Sequence, residues 1–247
     1  MNVNADTAFQ PTAQQIRQQW SDHTAAVMLA SPANPTGAVL DQGQLTEIIA
    51  VVGELGGNLV MDEIYIGLTR NGQLQSAAGR GEHVLVVNSF SKYHGLTGLR
   101  TGWLVAPQKT MPVAEKLAQN LFLSASTLGQ AGALSALSDE AIAIFEQRRR
   151  EIARRMDYLM EALPGLGFVL PVKPRGAFYV YADCSGLTRD SFSFCDEVLE
   201  QAGVVITPGR DFGDNQPERH VRFSCTSDIQ QLKAGVQRLQ AYLSSCP

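Results

Sequence analysis

Three short apolar runs without polar alternation, Ala25–Ala30, Leu59–Met61 and Val84–Val87, constrain this chain most. A strand with one wet face alternates apolar and polar residues, so an unbroken run marks a strand covered on both sides. One helical pattern lies between the first two runs. Asp41 is placed to cap it with Gln44 three residues on, Leu45, Ile48, Ile49 and Val52 recur on one face, and Gly56-Gly57 stops it. Strand-helix-strand units of this kind build parallel sheets, which bind ligands beyond the carboxyl ends of their strands. Gly102–Ala106 reads as a further strand that returns antiparallel.

Helical patterns continue at Met111–Phe122, Leu128–Leu137 and about Glu140–Leu163. The last places Ile144, Phe145, Ile152, Met156 and Leu159 on one side and Arg148, Arg149, Arg150, Arg154 and Arg155 on the other. The chain carries a formal charge of -4, so this arginine cluster reads as a solvated helix face rather than a nucleic-acid surface. After Pro164-Gly165 come short strands at Phe168–Leu170 and Ala177–Tyr181, a helix over Phe192–Ala202, strands at Val204–Thr207 and Val221–Ser224, and a helix over Asp228–Leu243. The pattern predicts an α/β fold: a mostly parallel sheet flanked by helices over residues 1–138, then a smaller α+β domain over 139–247 that includes the long helix.

With 247 residues, 45% of them hydrophobic and 18% charged, the chain has the composition of a folded domain. Neither a membrane nor a polyanion is expected as partner. The first residues have neither the basic start nor the apolar core of a secretory signal, which points to the cytoplasm. Cys184, Cys195, Cys225 and Cys246 form no CxxC pair and read as reduced structural thiols.

Several groups with chemistry fall where parallel strands would present a ligand site. Asn34 follows the first run within Ser31-Pro32-Ala33-Asn34-Pro35-Thr36-Gly37, Asp62 ends the second, and Ser89 ends the third. Ser89-Phe90-Ser91-Lys92 then leads into a glycine-containing loop closed by Arg100. A lysine among small polar residues at a strand end can be partly desolvated and act as a nucleophile, and hydroxyls with a guanidinium can grip a phosphate. Asp62 could keep a pyridine nitrogen protonated, while Tyr65 and Asn34 could donate to a ring oxygen. Together these groups read as a site for pyridoxal phosphate. Each also has a plain reading: a surface lysine, a strand-end carboxylate, a core tyrosine, a turn asparagine. Arg222 lies on a strand where alternation would point it inward, and an inward arginine needs an anion, either a substrate carboxylate or an internal salt bridge.

Taken in order, Ser31–Gly37, Asp62-Glu63-Ile64-Tyr65, Asn88–Lys92 with Arg100, Gly176-Ala177-Phe178-Tyr179 and Val221-Arg222-Phe223-Ser224 resemble the class I and II aminotransferases of pyridoxal phosphate fold type I. The resemblance covers essentially the whole chain. It implies that Lys92 forms the imine with the cofactor, Asp62 meets its pyridine nitrogen, and Asn34 and Tyr65 meet its ring oxygen. Ser89, Ser91 and Arg100 would hold the phosphate, and Arg222 the substrate carboxylate. It also implies amino-group transfer between an amino acid and a 2-keto acid in a homodimer. A pyridoxal phosphate β-lyase would use the same groups. Members of the family carry a large amino-terminal section before the region matching Val3. Without it, sheet edges and apolar surface should be exposed and part of the phosphate cradle absent, which leaves a non-catalytic cofactor-binding or assembly protein as the alternative.

Overall fold

A computed structural model describes residues 1–70 and 74–245, and Cys246 lies outside them. In chain order the elements are α1 (Ala13–Gln19), β1 (Ala26–Ala30), α2 (Gln42–Glu54), β2 (Asn58–Asp62), β3 (Val84–Ser89), β4 (Gly102–Val105), α3 (Met111–Phe122), α4 (Thr127–Ala136) and α5 (Asp139–Ala162). They continue with β5 (Tyr179–Asp183), α6 (Ser191–Ala202), β6 (Thr207–Pro208), β7 (His220–Ser224) and α7 (Ile229–Ser245). The chain forms two compact units that divide within α5, between Arg149 and Arg150. Two short segments, Asn2–Gln10 and Asn34–Ala38, group with the second unit.

The first unit holds a four-stranded sheet ordered β1-β2-β3-β4. Strands β1, β2 and β3 are parallel and β4 is antiparallel to β3, as the apolar runs and the short Ser91–Thr101 return predict. Helix α2 begins at the capping box read from Asp41 and Gln44, each side chain taking the other's backbone N–H. Its Leu45, Ile48, Ile49, Val51 and Val52 are buried with Leu59, Met61, Val84 and Val86 of the sheet in one apolar core. Helix α1 packs there too through Ile16, behind a second capping box of Thr12 and Gln15. The sequence reading passed over α1, although Thr12-x-x-Gln15 carries the same signature as Asp41-x-x-Gln44.

Around β4 the packing differs. Trp103, Leu104 and Val105 are each more than a third exposed, and α3 buries none of its residues. A smaller cluster of Phe90, Ala133, Ala136 and Phe145 ties α4 and the start of α5 to the segment after β3. Ile144, expected on the packed side of α5, is half exposed, because α5 seats Phe145 there instead.

The second unit has a three-stranded antiparallel sheet ordered β5-β7-β6. Val180, Ala182, Val221 and Phe223 put one face of it against Met156, Leu159, Phe168, Phe194, Val198, Leu239 and Tyr242 from the helices and loops. Two strands expected here are reduced. Phe168–Leu170 contributes one bridge, Val169 to Asp183, and Val204–Thr207 contributes only Thr207–Pro208. Phe168 and Ile206 reach the core from irregular backbone, an outcome that short apolar runs do not distinguish from a strand. No described helix is long and apolar enough to cross a membrane.

Candidate active site

The first unit gathers its polar groups at the carboxyl ends of β2 and β3. Asp62 closes β2, and its Oδ1 accepts the Ile64 N–H at 2.9 Å, which bends the chain away from the sheet. Its Oδ2 has no hydrogen-bond partner among the described residues. The neighbouring Glu63 is buried and committed elsewhere, accepting from the Ser76 hydroxyl at 2.6 Å and the Ala77 N–H at 2.7 Å. Burial raises its pKa above the usual carboxylate value. So the two adjacent carboxylates divide their work: Glu63 anchors a loop, and Asp62 is left at the strand end.

Ser89 closes β3, where its hydroxyl donates to the Ser91 hydroxyl at 2.8 Å and accepts the Ser91 N–H at 3.0 Å. That tight turn sets the next side chain, Lys92, off the sheet. The Lys92 Nζ lies 5.8 Å from the ring centre of the buried Tyr65. The loop then folds back through Leu96 N–H to Phe90 C=O at 2.9 Å and Thr97 Oγ1 to Ser91 C=O at 2.7 Å. It ends at Arg100 in a left-handed backbone conformation, φ 51° and ψ 45°. A non-glycine residue in that conformation is strained and is retained where its surroundings over-determine it. Here the Phe90 N–H takes the Thr101 carbonyl at 3.0 Å, and Gly129 of α4 presses so close that a Cβ on it would lie 2.9 Å from the Leu99 carbonyl. The guanidinium is exposed, with one Nη1 bond to the Thr97 carbonyl at 3.1 Å.

The second unit holds a different kind of group. In β7, Val221 and Phe223 face the apolar core, so Arg222 lies on the opposite face with its register partner Tyr181. Alternation along a strand separates two faces without saying which is the core; the expected inward direction is corrected to an aromatic layer on the other side. The Arg222 guanidinium sits between two rings, 4.2 Å from the centre of Tyr179 and 4.7 Å from that of Phe212. Nη1 donates to Asn34 Oδ1 at 2.7 Å and Nη2 to Thr207 Oγ1 at 3.3 Å, while the buried Nε has no partner among the described residues. No described carboxylate pairs with it, so the internal salt bridge read as an alternative does not form. Phe212 and Thr207 were missed from sequence; Thr207 is recognisable only once β6 is registered opposite Arg222.

Asn34 therefore groups with the second unit, in a loop whose Ser31–Pro32 and Asn34–Pro35 bonds are cis. The loop is fixed by Gly37, whose carbonyl accepts the Arg175 N–H at 2.9 Å and the Gly176 N–H at 3.1 Å. Gly37 has φ +64°, and a Cβ there would lie 2.5 Å from that of Pro174 and 2.8 Å from the Gly176 carbonyl oxygen, so no side chain fits.

A family model described as aminotransferase class I and II matches residues 1–239. The chain belongs to the class I and II aminotransferases. It is 35% identical over 241 residues to the valine–pyruvate aminotransferase of Mycobacterium tuberculosis, an alignment covering 97% of this chain and 62% of that protein. The aspartate/prephenate aminotransferase of Thermus thermophilus is 33% identical, over 96% of this chain and 61% of that one. Among solved structures, an aminotransferase from Mycobacterium tuberculosis superposes with a TM-score of 0.93 at 34% identity, covering all of this chain and 64% of the other. The chain thus spans less than two thirds of the length of these relatives. Aminotransferases of this class generally depend on pyridoxal phosphate.

The residues present suit that group. Asp62 offers an open carboxylate oxygen, Ser89 and Ser91 offer paired hydroxyls, Arg100 offers guanidinium N–H groups, and Asn34 keeps its amide Nδ2 without a partner among the described residues. Each is a donor or acceptor of the type that a pyridinium nitrogen, a phosphate or a ring oxygen requires.

Proposed function

We propose that this chain serves amino-group transfer between an amino acid and a 2-keto acid, with pyridoxal phosphate carried on Lys92. The state of Arg222 carries this reading. A guanidinium held between two rings and bonded to neutral oxygens, with no carboxylate paired to it among the described residues, is prepared for an anion supplied from outside the fold. An amino or keto acid supplies that anion as its α-carboxylate.

Pyridoxal phosphate, when bound, supplies an aldehyde carbon for an amino group and a ring that draws electron density from the substrate α-carbon. Lys92 Nζ would hold the group and, with a substrate amine in its place, would move the proton at the substrate α-carbon. Asp62 Oδ2 would accept from the pyridine nitrogen and favour its protonated form. Ser89, Ser91 and Arg100 would hold the phosphate, and the Tyr65 hydroxyl would donate to the ring oxygen. Asn34 has its Oδ1 occupied by Arg222, which leaves Nδ2 as the donor to that same oxygen. We also propose a homodimer, supported by the exposed apolar residues of β4, α3 and α4, and an analytical ultracentrifuge run tests it.

Absorbance titration with pyridoxal phosphate, borohydride reduction and peptide mapping should place the label on Lys92. Label elsewhere, or none, overturns the assignment. Valine and pyruvate are the pair to try first, given the Mycobacterium tuberculosis relative. Formation of the valine keto acid, with the aldehyde absorbance restored by pyruvate, separates transfer from elimination, and Lys92→Ala should abolish it.

A further inference from the structure

Tyr93, Glu146 and Arg149 take no part in the roles assigned above, yet they form one connected set beside Lys92. Tyr93 follows Lys92 directly. Its hydroxyl donates to Glu146 Oε1 at 2.8 Å. The other carboxylate oxygen, Glu146 Oε2, accepts from Arg149 Nε and Nη2, each at 2.9 Å. The remaining arm of Arg149, Nη1, donates to the carbonyls of Thr69 at 2.9 Å and Arg70 at 3.2 Å. Those carbonyls lie just after the 3-10 turn Ile66–Leu68, which Tyr65 caps. The path from Lys92 therefore runs through three side chains and returns to Tyr65.

A direct contact closes it. A Cβ on Gly67, inside that turn, would lie 2.6 Å from Tyr93 Cγ, so the tyrosine ring rests on the turn's backbone. Phe145 meets the other side of the ring edge-on at 5.7 Å. The Arg149 side chain is only 15% exposed, deep for a charge used only for solubility. The expectation of a solvated arginine face thus fails here, and also at Arg155, which pairs with Glu151 and donates to the Thr226 carbonyl. A burial-raised Tyr93 pKa of about 12 keeps its hydroxyl protonated as a donor.

We infer that Tyr93, Glu146 and Arg149 are positioning residues that fix the Lys92 amine against the Tyr65 phenol. The inference rests on the function proposed above. Bond-making between a side chain and a bound group is sensitive to displacements of about 1 Å. Lys92 sits in a loop, and this brace joins that loop to the Tyr65 turn and to a helix. Arginine is needed because a single flexible ammonium cannot span a carboxylate and two carbonyls in one plane.

The test compares the wild type with Tyr93→Phe, Arg149→Lys and Glu146→Gln in the full chain. In the cofactor-free proteins, hydrogen exchange of segment 66–70 should quicken by about tenfold in Tyr93→Phe and Arg149→Lys, as expected for loss of one internal hydrogen bond. With pyridoxal phosphate bound, the pH midpoint of its absorbance change should shift in the same variants. Glu146→Gln keeps an acceptor for Tyr93 and should fall between. Wild-type exchange and an unmoved midpoint in Tyr93→Phe and Arg149→Lys would overturn the positioning role. A wild type that traps no cofactor on Lys92 would instead sink the functional reading and the positioning role with it, even if exchange had quickened. A fall in melting temperature with both readouts unchanged would make the three residues merely structural.

Discussion

Helices α2 and α3 are both amphipathic and similar in length, and they meet opposite fates. Helix α2 buries Leu45, Ile48, Ile49, Val51 and Val52 against the sheet, whereas α3 leaves Val113, Leu117, Leu121 and Phe122 each more than half exposed. Their ends differ in the same way. Asp41 and Gln44 close a capping box on α2, but Thr110 makes no side-chain cap on α3. An apolar stripe in a sequence thus identifies a face that needs a partner without supplying one. Most of a helix's stability in a protein comes from that partner.

Five substitutions can sharpen or break this contrast. The largest effect is expected at Ile48, which is fully buried: Ile48→Ala should cost about 3 kcal/mol in urea unfolding through lost burial and a residual cavity. Leu121→Ala, at a side chain 76% exposed, should stay within about 0.5 kcal/mol. A loss at Leu121 as large as that at Ile48 would mean that the α3 face is packed in solution. Next comes the cap, where Asp41→Ala should cost about 1 kcal/mol and Thr110→Ala much less, judged by the shift in denaturant midpoint. Equal effects would erase the difference between the two helix starts.

The fifth concerns pH. Beside α2 a histidine has a partner, His83 Nε2 lying 2.8 Å from the Ile49 carbonyl oxygen, while the β4 side contains His94, ringed by Phe90, Tyr93, Trp103 and Phe145 with its Nδ1 unpartnered among the described residues. Burial lowers the His94 pKa below 6.5, so as pH falls below 6.5 the unfolded chain takes up the proton first and the folded state loses stability. Stability measured at pH 7.5 and 5.5 should therefore drop less in His94→Phe than in the wild type. An identical drop would show that His94 is not the titrating group.

Local patterns are legible in this sequence and non-local ones are not, and particular residues show why. Met111–Phe122 was bounded by its periodicity alone, and the Asp41 cap by two residues three apart. Interactions within a turn of helix are encoded within a turn of sequence. The same signature at Thr12 and Gln15 was legible and missed. By contrast, the Arg222 bond to Asn34 joins residues 188 apart, and Arg149 reaches back 80 residues to Thr69. Reading Arg149 as solvated followed from its helix face, because helical periodicity says nothing about a loop arriving from elsewhere. The left-handed Arg100 had no sequence signal either, since its conformation is imposed by Thr101 and Gly129 rather than by its own preference.

The sequence by itself determined the order of strands and helices, the parallel β1-β2-β3 unit, and which residues stand at its carboxyl ends. These follow from side-chain periodicity, caps and turn residues, all short-range. Tertiary structure decided which of those residues are committed and which are left open. It ties Glu63 to Ser76 and Ala77 while Asp62 keeps an oxygen, and it holds Arg222 between two rings with no carboxylate from the described residues. A polar group's availability depends on every partner within hydrogen-bond reach, and those partners come from distant parts of the chain that only folding brings together.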